Sequence, residues 1–320
     1  MHLVQSMAYV SATPWHGLGQ SLSPNQPLEV WAKQAGMDWR IEAADVQFTV
    51  DSPLQGSLHT YPEQKVLYRS DTHAPLSVVS GRYKVVQPAE ILEFYRDLTE
   101  VGGYELETAG VLKDGKKLWA LARTGQTLTL KGRDTVNGYL LLATACDGTL
   151  ATMAQFTSVR VVCNNTLTIA LGDSAGAVKV PHRSEFDAQV VKQQLGIAIA
   201  PWSSFSDYVK ELAERRVAEK TVKNFLEKIF TYSASSAKQL TPLLNEQAIT
   251  KVQALYAGRG KGSELSAAKS TAWGLLNSVT EYVDHHRRAR SDDHRRDAAW
   301  FGQGAQIKQR AWEEAIKLVA

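Results

Sequence analysis

The chain has 320 residues, of which 44% are hydrophobic, and this is enough for a large core without stabilising cross-links. Its two cysteines, Cys146 and Cys163, lie in apolar runs, so the sequence predicts buried thiols in a reducing cytoplasm and excludes a disulfide-rich secreted domain. The N-terminus lacks the pattern of a signal peptide, and no apolar run has the length of a membrane span. We therefore expect a cytoplasmic protein that has no membrane partner.

The net charge of +3 is unevenly distributed along the chain. Residues 1–178 hold 14 Lys/Arg and 17 Asp/Glu, whereas residues 179–320 hold 22 and 16. Inside the acidic half, six cations face only Asp114: Lys113, Lys116, Lys117, Arg123, Lys131 and Arg133. Such a cluster attracts a polyanion. The other interpretation is that these residues keep hairpin turns and strand edges soluble and prevent sheet pairing.

The first hundred residues predict a loop, then helices and strands. Glycines at residues 14–19 indicate a loop, and residues 23–37 predict a short amphipathic helix. Strands are predicted at 39–50, 65–69 and 76–86, the last two around a turn near Ser70. Pro88 favours the start of a second helix, because a proline in the first turn loses no helical hydrogen bond.

Strand signals resume after the second helix. Residues 104–112 and 117–123 flank an Asp-Gly turn, and two further strands between 137 and 158 meet at Asp147 and Gly148. A helix is predicted to open near Ser158 and to carry Arg160, Cys163, Asn164 and Asn165 in its first turns. The fold class is therefore α+β over residues 1–178, with a mainly antiparallel sheet and crossing helices.

The remainder, residues 179–320, predicts a helical C-terminal region packed on the first domain. Residues 184–187 are typical of a helix start, and Pro201 is expected to interrupt that helix. Further helices are predicted at 203–232, from Thr241 and Pro242 after a hinge at 233–238, at 263–290, and at 304–320.

A glycine-rich basic segment, GRGKG, occupies residues 258–262 and is expected to form a flexible loop. Its glycines and cations suit contact with a phosphate. It lacks the preceding strand, the spacing and the Ser/Thr of a nucleotide-binding P-loop, so the sequence does not indicate that class of site.

Three stretches together resemble domain-of-unknown-function family 932, a phage/plasmid-like group. They are PWHGLG at residues 14–19, RVVCNNTL at 160–167 and TEYVDH at 280–285. The resemblance implies a mobile element and a bacterial or viral cytoplasm, and it supplies no reaction. The strands and predicted helix of residues 137–171 also resemble, in outline, phage single-strand annealing proteins, which form rings or filaments and bind DNA in a basic groove.

Non-catalytic nucleic-acid binding is the leading hypothesis, with single-stranded DNA as the partner in recombination or replication. Cations contact phosphates, and a helix start adds backbone donors. The assigned residues are Lys113, Lys116, Lys117, Arg123, Lys131, Arg133, Arg160, Asn164 and Asn165. A structural ion pair for Arg160, and capping or a turn for the asparagines, are the alternatives at those positions. We expect a homo-oligomer, and the sequence assigns no catalytic residue, metal or cofactor.

Two other classes of function stay open. A protein-interaction or anti-defence assembly factor with a host or phage partner fits the amphipathic helices, which fit an ordinary core equally well. A metal-dependent nuclease would use residues such as His16, Asp284, His285 and His286. The spacing favours a solvated, salt-bridged helix end over a preformed metal site, because Asp284 and His285 point in different directions on a helix. Cys163 is expected to be a buried thiol rather than a nucleophile.

Overall fold

A computed structural model describes residues 4–10, 19–50, 56–100, 103–162, 165–168, 177–195, 199–236 and 239–320. The fold is α+β, with a mainly antiparallel sheet and a helical C-terminal part, as predicted. Among the helices of these ranges, none has the length and apolar character needed to cross a membrane.

The N-terminal half of the chain consists mainly of strands. In order, the elements are β1 (Val4–Val10), β2 (Gln20–Leu22), α1 (Leu28–Gln34), β3 (Ile41–Val50), β4 (Ser57–Arg69), β5 (Pro75–Ser80), α2 (Pro88–Glu93), α3 (Arg96–Glu100), β6 (Glu105–Leu112), a 3-10 turn (Lys113–Gly115), β7 (Lys117–Leu130), β8 (Asp134–Ala145), β9 (Thr152–Arg160), β10 (Asn165–Thr168) and β11 (Ala177–Val180).

Helices and one hairpin follow. They are α4 (Ala188–Leu195), α5 (Ile199–Glu214), α6 (Glu219–Phe230), β12 (Thr231–Ser236), β13 (Gln239–Leu244), α7 (Glu246–Ala254), a π-helical turn (Leu255–Arg259), α8 (Ala272–Glu281), a second π-helical turn (Tyr282–His286), α9 (Asp292–Phe301) and α10 (Gln303–Ile316).

The main sheet has the order β10-β9-β8-β7-β6-β1-β2, and β11 also pairs with β9. Strand β1 is antiparallel to β6 and parallel to β2. Strand β10 pairs with residues 157–160 of β9, and β11 pairs with residues 152–155. A smaller sheet has the order β3-β4-β5, and β12 and β13 form a separate hairpin.

The residues fall into two compact units by their internal contacts. Unit 1 comprises residues 1–125, 139–156 and 174–197, and unit 2 comprises 126–138, 157–173 and 198–320. Unit 2 therefore contains the C-terminal helices together with the ends of three sheet strands. These units do not coincide with the predicted division at 178/179, because segments of β7, β8 and β9 are counted with the helices.

Each unit has its own core. In unit 1, Phe94 and Tyr95 at the end of α2 are fully buried, and the Tyr95 hydroxyl donates to the carbonyls of Ala120 and Leu140 at 2.9 and 3.0 Å. In unit 2, every residue of α8 is buried, and Thr271 caps its first turn by accepting from the Gly274 amide. A helix is therefore present within the predicted range 263–290, and α8 is buried on all sides.

Several sequence predictions are confirmed because they depend on local signals. Pro88 is the first residue of α2, and the turn at residues 146–151 joins β8 to β9. Asp187 caps the start of α4 by accepting from the amides of Gln189 and Val190. Pro201 lies in the first turn of α5, where a proline is tolerated.

The predicted helix opening near Ser158 is wrong. Residues up to Arg160 continue β9, and the chain returns as β10 from Asn165. The β-branched residues Thr157 and Val159 favour an extended chain, and this preference prevails over the apparent helix start, whereas Val161 and Val162 lie in the turn that follows β9. Cys163 and Asn164 lie outside the described residues.

Two helix boundaries are also corrected. Thr241 and Pro242 belong to β13, and the following helix begins at Glu246, where the Asn245 side chain accepts from the Ala248 amide at 3.1 Å. The predicted helix at 263–290 is shorter than expected: residues 263–270 form turns, and α8 starts only after its Thr271 cap.

Candidate nucleic-acid interface

Arg160 is buried at the end of β9, with 3% of its surface exposed. Its Nε and Nη2 donate to the two carboxylate oxygens of Asp134, each at 2.7 Å. The Trp273 indole donates to the same carboxylate at 3.0 Å. A bidentate pair of this kind holds both side chains in one orientation. The structure therefore contains the structural ion pair that was the alternative interpretation of Arg160.

The same guanidinium holds the GRGKG loop (residues 258–262). Its Nη2 donates to the Gly262 carbonyl at 3.1 Å, and its Nη1 donates to the Lys261 carbonyl at 3.4 Å. The Glu281 carboxylate at the end of α8 accepts from the Lys261 amide at 3.0 Å. The loop backbone is thus fixed through its carbonyls by a buried cation and through an amide by a buried anion.

Each of the three glycines in the loop is needed for this backbone path. Gly258 has a φ of 127°, which other residues rarely adopt. A Cβ at Gly260 would lie 2.9 Å from Glu281 Oε2, and one at Gly262 would lie 2.7 Å from Val162 Cγ1. Side chains are therefore possible at positions 259 and 261 alone, and both positions hold an exposed cation, Arg259 and Lys261.

Further cations surround the loop. Burial raises the pKa of Glu281 above its ordinary value, although the hydrogen bond from the Lys261 amide and attraction from Lys261, Arg160 and Lys251 lower it in part. Burial lowers the pKa of His286, and the positive charges of Lys251, His285, Arg295 and Lys261 lower it further. Glu281 and His286 therefore both lie in the positive field of the cations around the loop.

The sequence around the loop is basic as well. Residues 251–310 hold eleven Lys/Arg and six Asp/Glu. Two of the six carboxylates, Glu281 and Asp284, are buried. In the part of the chain that the structure describes, Lys251, Arg259 and Lys261 form no ion pair with a carboxylate. Lys251, Arg259 and Lys261 therefore present positive charge that the described carboxylates do not neutralise.

A second network in unit 2 joins Asp284, Lys308 and Thr166. Asp284 accepts from the Lys308 ammonium at 2.8 Å and from the Thr166 amide at 2.8 Å. The Lys308 ammonium also donates to the Thr166 hydroxyl at 2.6 Å. The expected solvated helix end is wrong for Asp284, because the network joins β10 to the turn after α8 and keeps its members out of water.

The predicted basic cluster is largely occupied with contacts in its own units. In unit 1, Lys117 is buried, and Lys113 and Lys116 are partly buried. Arg123 Nε donates to Glu107 at 2.9 Å, and the Tyr139 hydroxyl donates to the same carboxylate. These contacts account for the charge of Arg123 without a nucleic acid.

In unit 2, the Lys131 ammonium lies 3.2 Å from Glu214 and donates to the Ala213 carbonyl. Arg133 is exposed. Asn165 contributes its backbone to β10, and Asn164 lies outside the described residues. The nine predicted residues are divided between the two units, and Arg160 supports the GRGKG loop from within the core.

Asp284 and Cys146 do not suit the catalytic alternatives, and the described residues offer no cluster of metal ligands. These residues contain no group of three or more His, Cys, Asp and Glu side chains placed to hold a metal. Asp284, the carboxylate suggested for a nuclease, contacts Lys308 and Thr166. Burial raises the pKa of the Cys146 thiol to about 12, which keeps it protonated and unreactive. His16 and Cys163 lie outside the described residues.

From the sequence alone, the GRGKG segment is visible but predicts no site. The residues that hold the loop backbone could not be recognised, because Arg160 and Glu281 lie about 100 and 20 residues away from it along the chain. The available signal was the alternation itself: three glycines separated by two cations.

Comparison with known proteins places the chain in a family without an assigned function. Residues 75–300 match the family Domain of unknown function (DUF932). The match includes RVVCNNTL and TEYVDH, which meet at the Thr166–Asp284 contact, whereas PWHGLG precedes it and lies outside the described residues. No curated protein matches the chain. Because the match covers more than half of its residues, the chain belongs to the DUF932 family.

Proposed function

We propose that the protein binds nucleic acid without catalysis, through the GRGKG loop and the basic segment beside it. The observation that carries the proposal is the loop itself, whose backbone is fixed by Arg160 and Glu281 and whose two side chains are exposed cations. Phosphate contacts by Lys and Arg supply most of the affinity of non-specific nucleic-acid binding. A fixed backbone reduces the ordering cost of such contacts.

Single-stranded DNA is the proposed ligand, and recombination or replication of a phage or other mobile element is the proposed setting. This ligand and this setting are the ones that the resemblance to annealing proteins implies. The loop supports them by offering positive charge to the phosphate backbone, which is the same in strands of any sequence.

The proposal is tested by titrating a fluorescent single-stranded oligonucleotide with the full chain at several salt concentrations. We expect saturable binding, and the logarithm of the affinity should fall linearly with the logarithm of salt by about 0.7 for each phosphate contacted. Acceleration of annealing between complementary strands would support the recombination role. An absence of binding at about 50 mM salt, where such contacts are strongest, overturns the proposal.

A β-hairpin arm favours self-association as a second candidate function. The far end of β3 and β4, residues 46–50 and 57–63, extends beyond the pairing with β5 and is mostly exposed. Register places Val46, Phe48 and Val50 on one face with Tyr61 and His59, and Phe48 stacks on His59 at 5.4 Å. Leu58 lies on the other face, among Gln47, Thr49 and Thr60. The first face is therefore the more apolar one.

We infer that this face binds a second copy of the chain. Residues 41–64 contain four carboxylates and no Lys or Arg, so the arm repels nucleic acid and suits a basic protein surface on another copy. Solution mass measurement tests this. The wild type should be an oligomer, and Phe48→Ser should shift it towards monomer while single-strand affinity per chain is kept. A monomeric wild type overturns the inference.

A further inference from the structure

A cavity of about 330 Å³ opens in unit 2 between the end of α6, the turn after α8, and α10. Its volume lies in the range of about 300–1,000 Å³ that is usual for small-molecule sites. The side chains that matter for its chemistry are Phe230, Asn245, Tyr282, Arg287, Gln306 and Arg310. No carboxylate is found among the described residues that line it.

Two guanidinium groups give the cavity its charge. Arg287 ends the π-helical turn, and its Nη2 donates to the Gln303 amide oxygen at 2.8 Å, which is a neutral partner. Arg310 is exposed on α10 and forms no ion pair with the described carboxylates. Guanidinium groups match the geometry of phosphate oxygens, and uncompensated ones favour an anionic ligand.

The wall of the cavity is aromatic and rigid. Phe230 is buried and Tyr282 is half-buried, and their rings meet edge-to-face at 5.6 Å and 88°. Burial raises the pKa of the Tyr282 phenol, so it stays a neutral hydrogen-bond donor at neutral pH, although nearby Arg287 lowers this pKa in part. Aromatic faces of this kind bind flat rings such as nucleobases.

Amide side chains complete the lining. The Asn245 oxygen is used to cap α7, whereas its amide nitrogen forms no hydrogen bond with the described residues. Gln306 is exposed beside Ile307 on α10. Amides supply both donors and acceptors, the groups that recognise base edges and sugar hydroxyls.

We propose that this cavity binds a nucleoside phosphate, with the phosphate between Arg287 and Arg310 and the base against Tyr282. The ligand has two possible sources, a free nucleotide and the terminal nucleotide of a bound strand. The inference goes beyond the proposed function, because it uses none of the loop side chains and holds if the GRGKG loop binds no strand.

The test measures binding of adenosine monophosphate to the full chain by calorimetry, with adenosine and inorganic phosphate as fragments. Arg310→Ala should weaken nucleotide binding by at least about tenfold, the usual consequence of removing a charged hydrogen bond. Arg288→Ala is the matched control, since Arg288 is exposed nearby but does not line the cavity. Thermal unfolding should be the same for both variants.

The outcomes are distinguishable. Saturable nucleotide binding that Arg310→Ala loses and Arg288→Ala keeps supports the proposal, and retention in Arg259→Ala/Lys261→Ala separates it from the loop. Competition by a 5′-phosphorylated oligonucleotide, and not by its unphosphorylated form, identifies a strand end as the source; competition by neither identifies the free nucleotide. No nucleotide binding, equal effects of the two arginine variants, or binding of phosphate as tight as that of the nucleotide overturns the proposal.

Discussion

The span 113–133 and the GRGKG loop are both basic in sequence, but the structure uses their charges differently. Arg123 and Lys131 of the first region lie against carboxylates of their own units, and Lys117 is buried. The loop instead presents Arg259 and Lys261 on a backbone that buried residues fix. The difference teaches that a site depends on which cations remain unneutralised, and that a buried arginine such as Arg160 contributes by supporting the exposed ones.

Breaking the Arg160–Asp134 pair should have the largest effect on stability. Arg160→Ala leaves a buried carboxylate without its cation and removes the support of the loop, so the free energy of unfolding should fall by about 3–5 kcal/mol. Urea unfolding measures the change. Asp134→Ala should cost a similar amount, and the double variant should cost less than the sum of the two. Strict additivity would contradict the described pairing.

Gly262→Ala should have the next largest effect, because it adds a methyl group where Val162 Cγ1 and Arg160 Nη2 lie 2.7 and 3.1 Å away. The φ of 67° adds strain for any residue other than glycine. We expect a loss of about 1–3 kcal/mol in unfolding free energy and weaker single-strand binding. Gly132→Ala is the control: its φ is 76°, but nothing lies within 4 Å of the new methyl group. Equal losses at both positions would mean that packing around the loop is unimportant.

A smaller, pH-dependent effect is expected from Glu281. Its pKa is raised above 4.5 in the folded protein, chiefly by burial, so the folded state binds the proton more tightly than the unfolded state. This contribution to stability is fully present below the ordinary pKa and is lost as the pH rises through the raised value. The stability of the wild type relative to Glu281→Gln should therefore decrease as the pH rises above 4.5. Denaturant unfolding of both proteins across this window measures the difference, and an increase with pH would contradict the raised pKa.

Arg123→Ala should have the smallest effect. This arginine is partly exposed and is paired with Glu107 at the surface of unit 1, and such pairs contribute about 0–1 kcal/mol. The comparison with Arg160→Ala by the same urea assay sharpens the distinction between a surface pair and a buried one. A loss as large as that of Arg160→Ala would show that exposure does not separate the two arginines.

Local sequence signals predicted most of the fold. The Asp147-Gly148 turn and the proline at the start of α2 act over a few residues, and the structure confirms them. The helix predicted near Ser158 failed because polar residues after a strand were given more weight than the valines among them. Pro242 failed as a helix start because a two-stranded hairpin tolerates proline at an edge.

The candidate site was harder to predict, because its parts come together only in the folded chain. Arg160 and Asp134 are 26 residues apart, and no local pattern links them. The GRGKG cations were visible in the sequence, but their fixed backbone depends on Arg160 and Glu281. Conversely, Arg123 and Lys131 were predicted to bind nucleic acid because their ion-pair partners, Glu107 and Glu214, lie outside the basic span of the sequence.

The most direct test of the central claim compares single-strand binding by two charge-neutralising pairs, Arg259→Gln/Lys261→Gln in the loop and Arg123→Gln/Lys131→Gln in the predicted basic span. At about 50 mM salt, the loop pair should lose roughly tenfold or more in affinity, and its salt dependence should fall by about 1.4, the value for two phosphates. The second pair should stay within about threefold of the wild type. Loss of binding in the second pair, with the loop pair unchanged, would contradict the account.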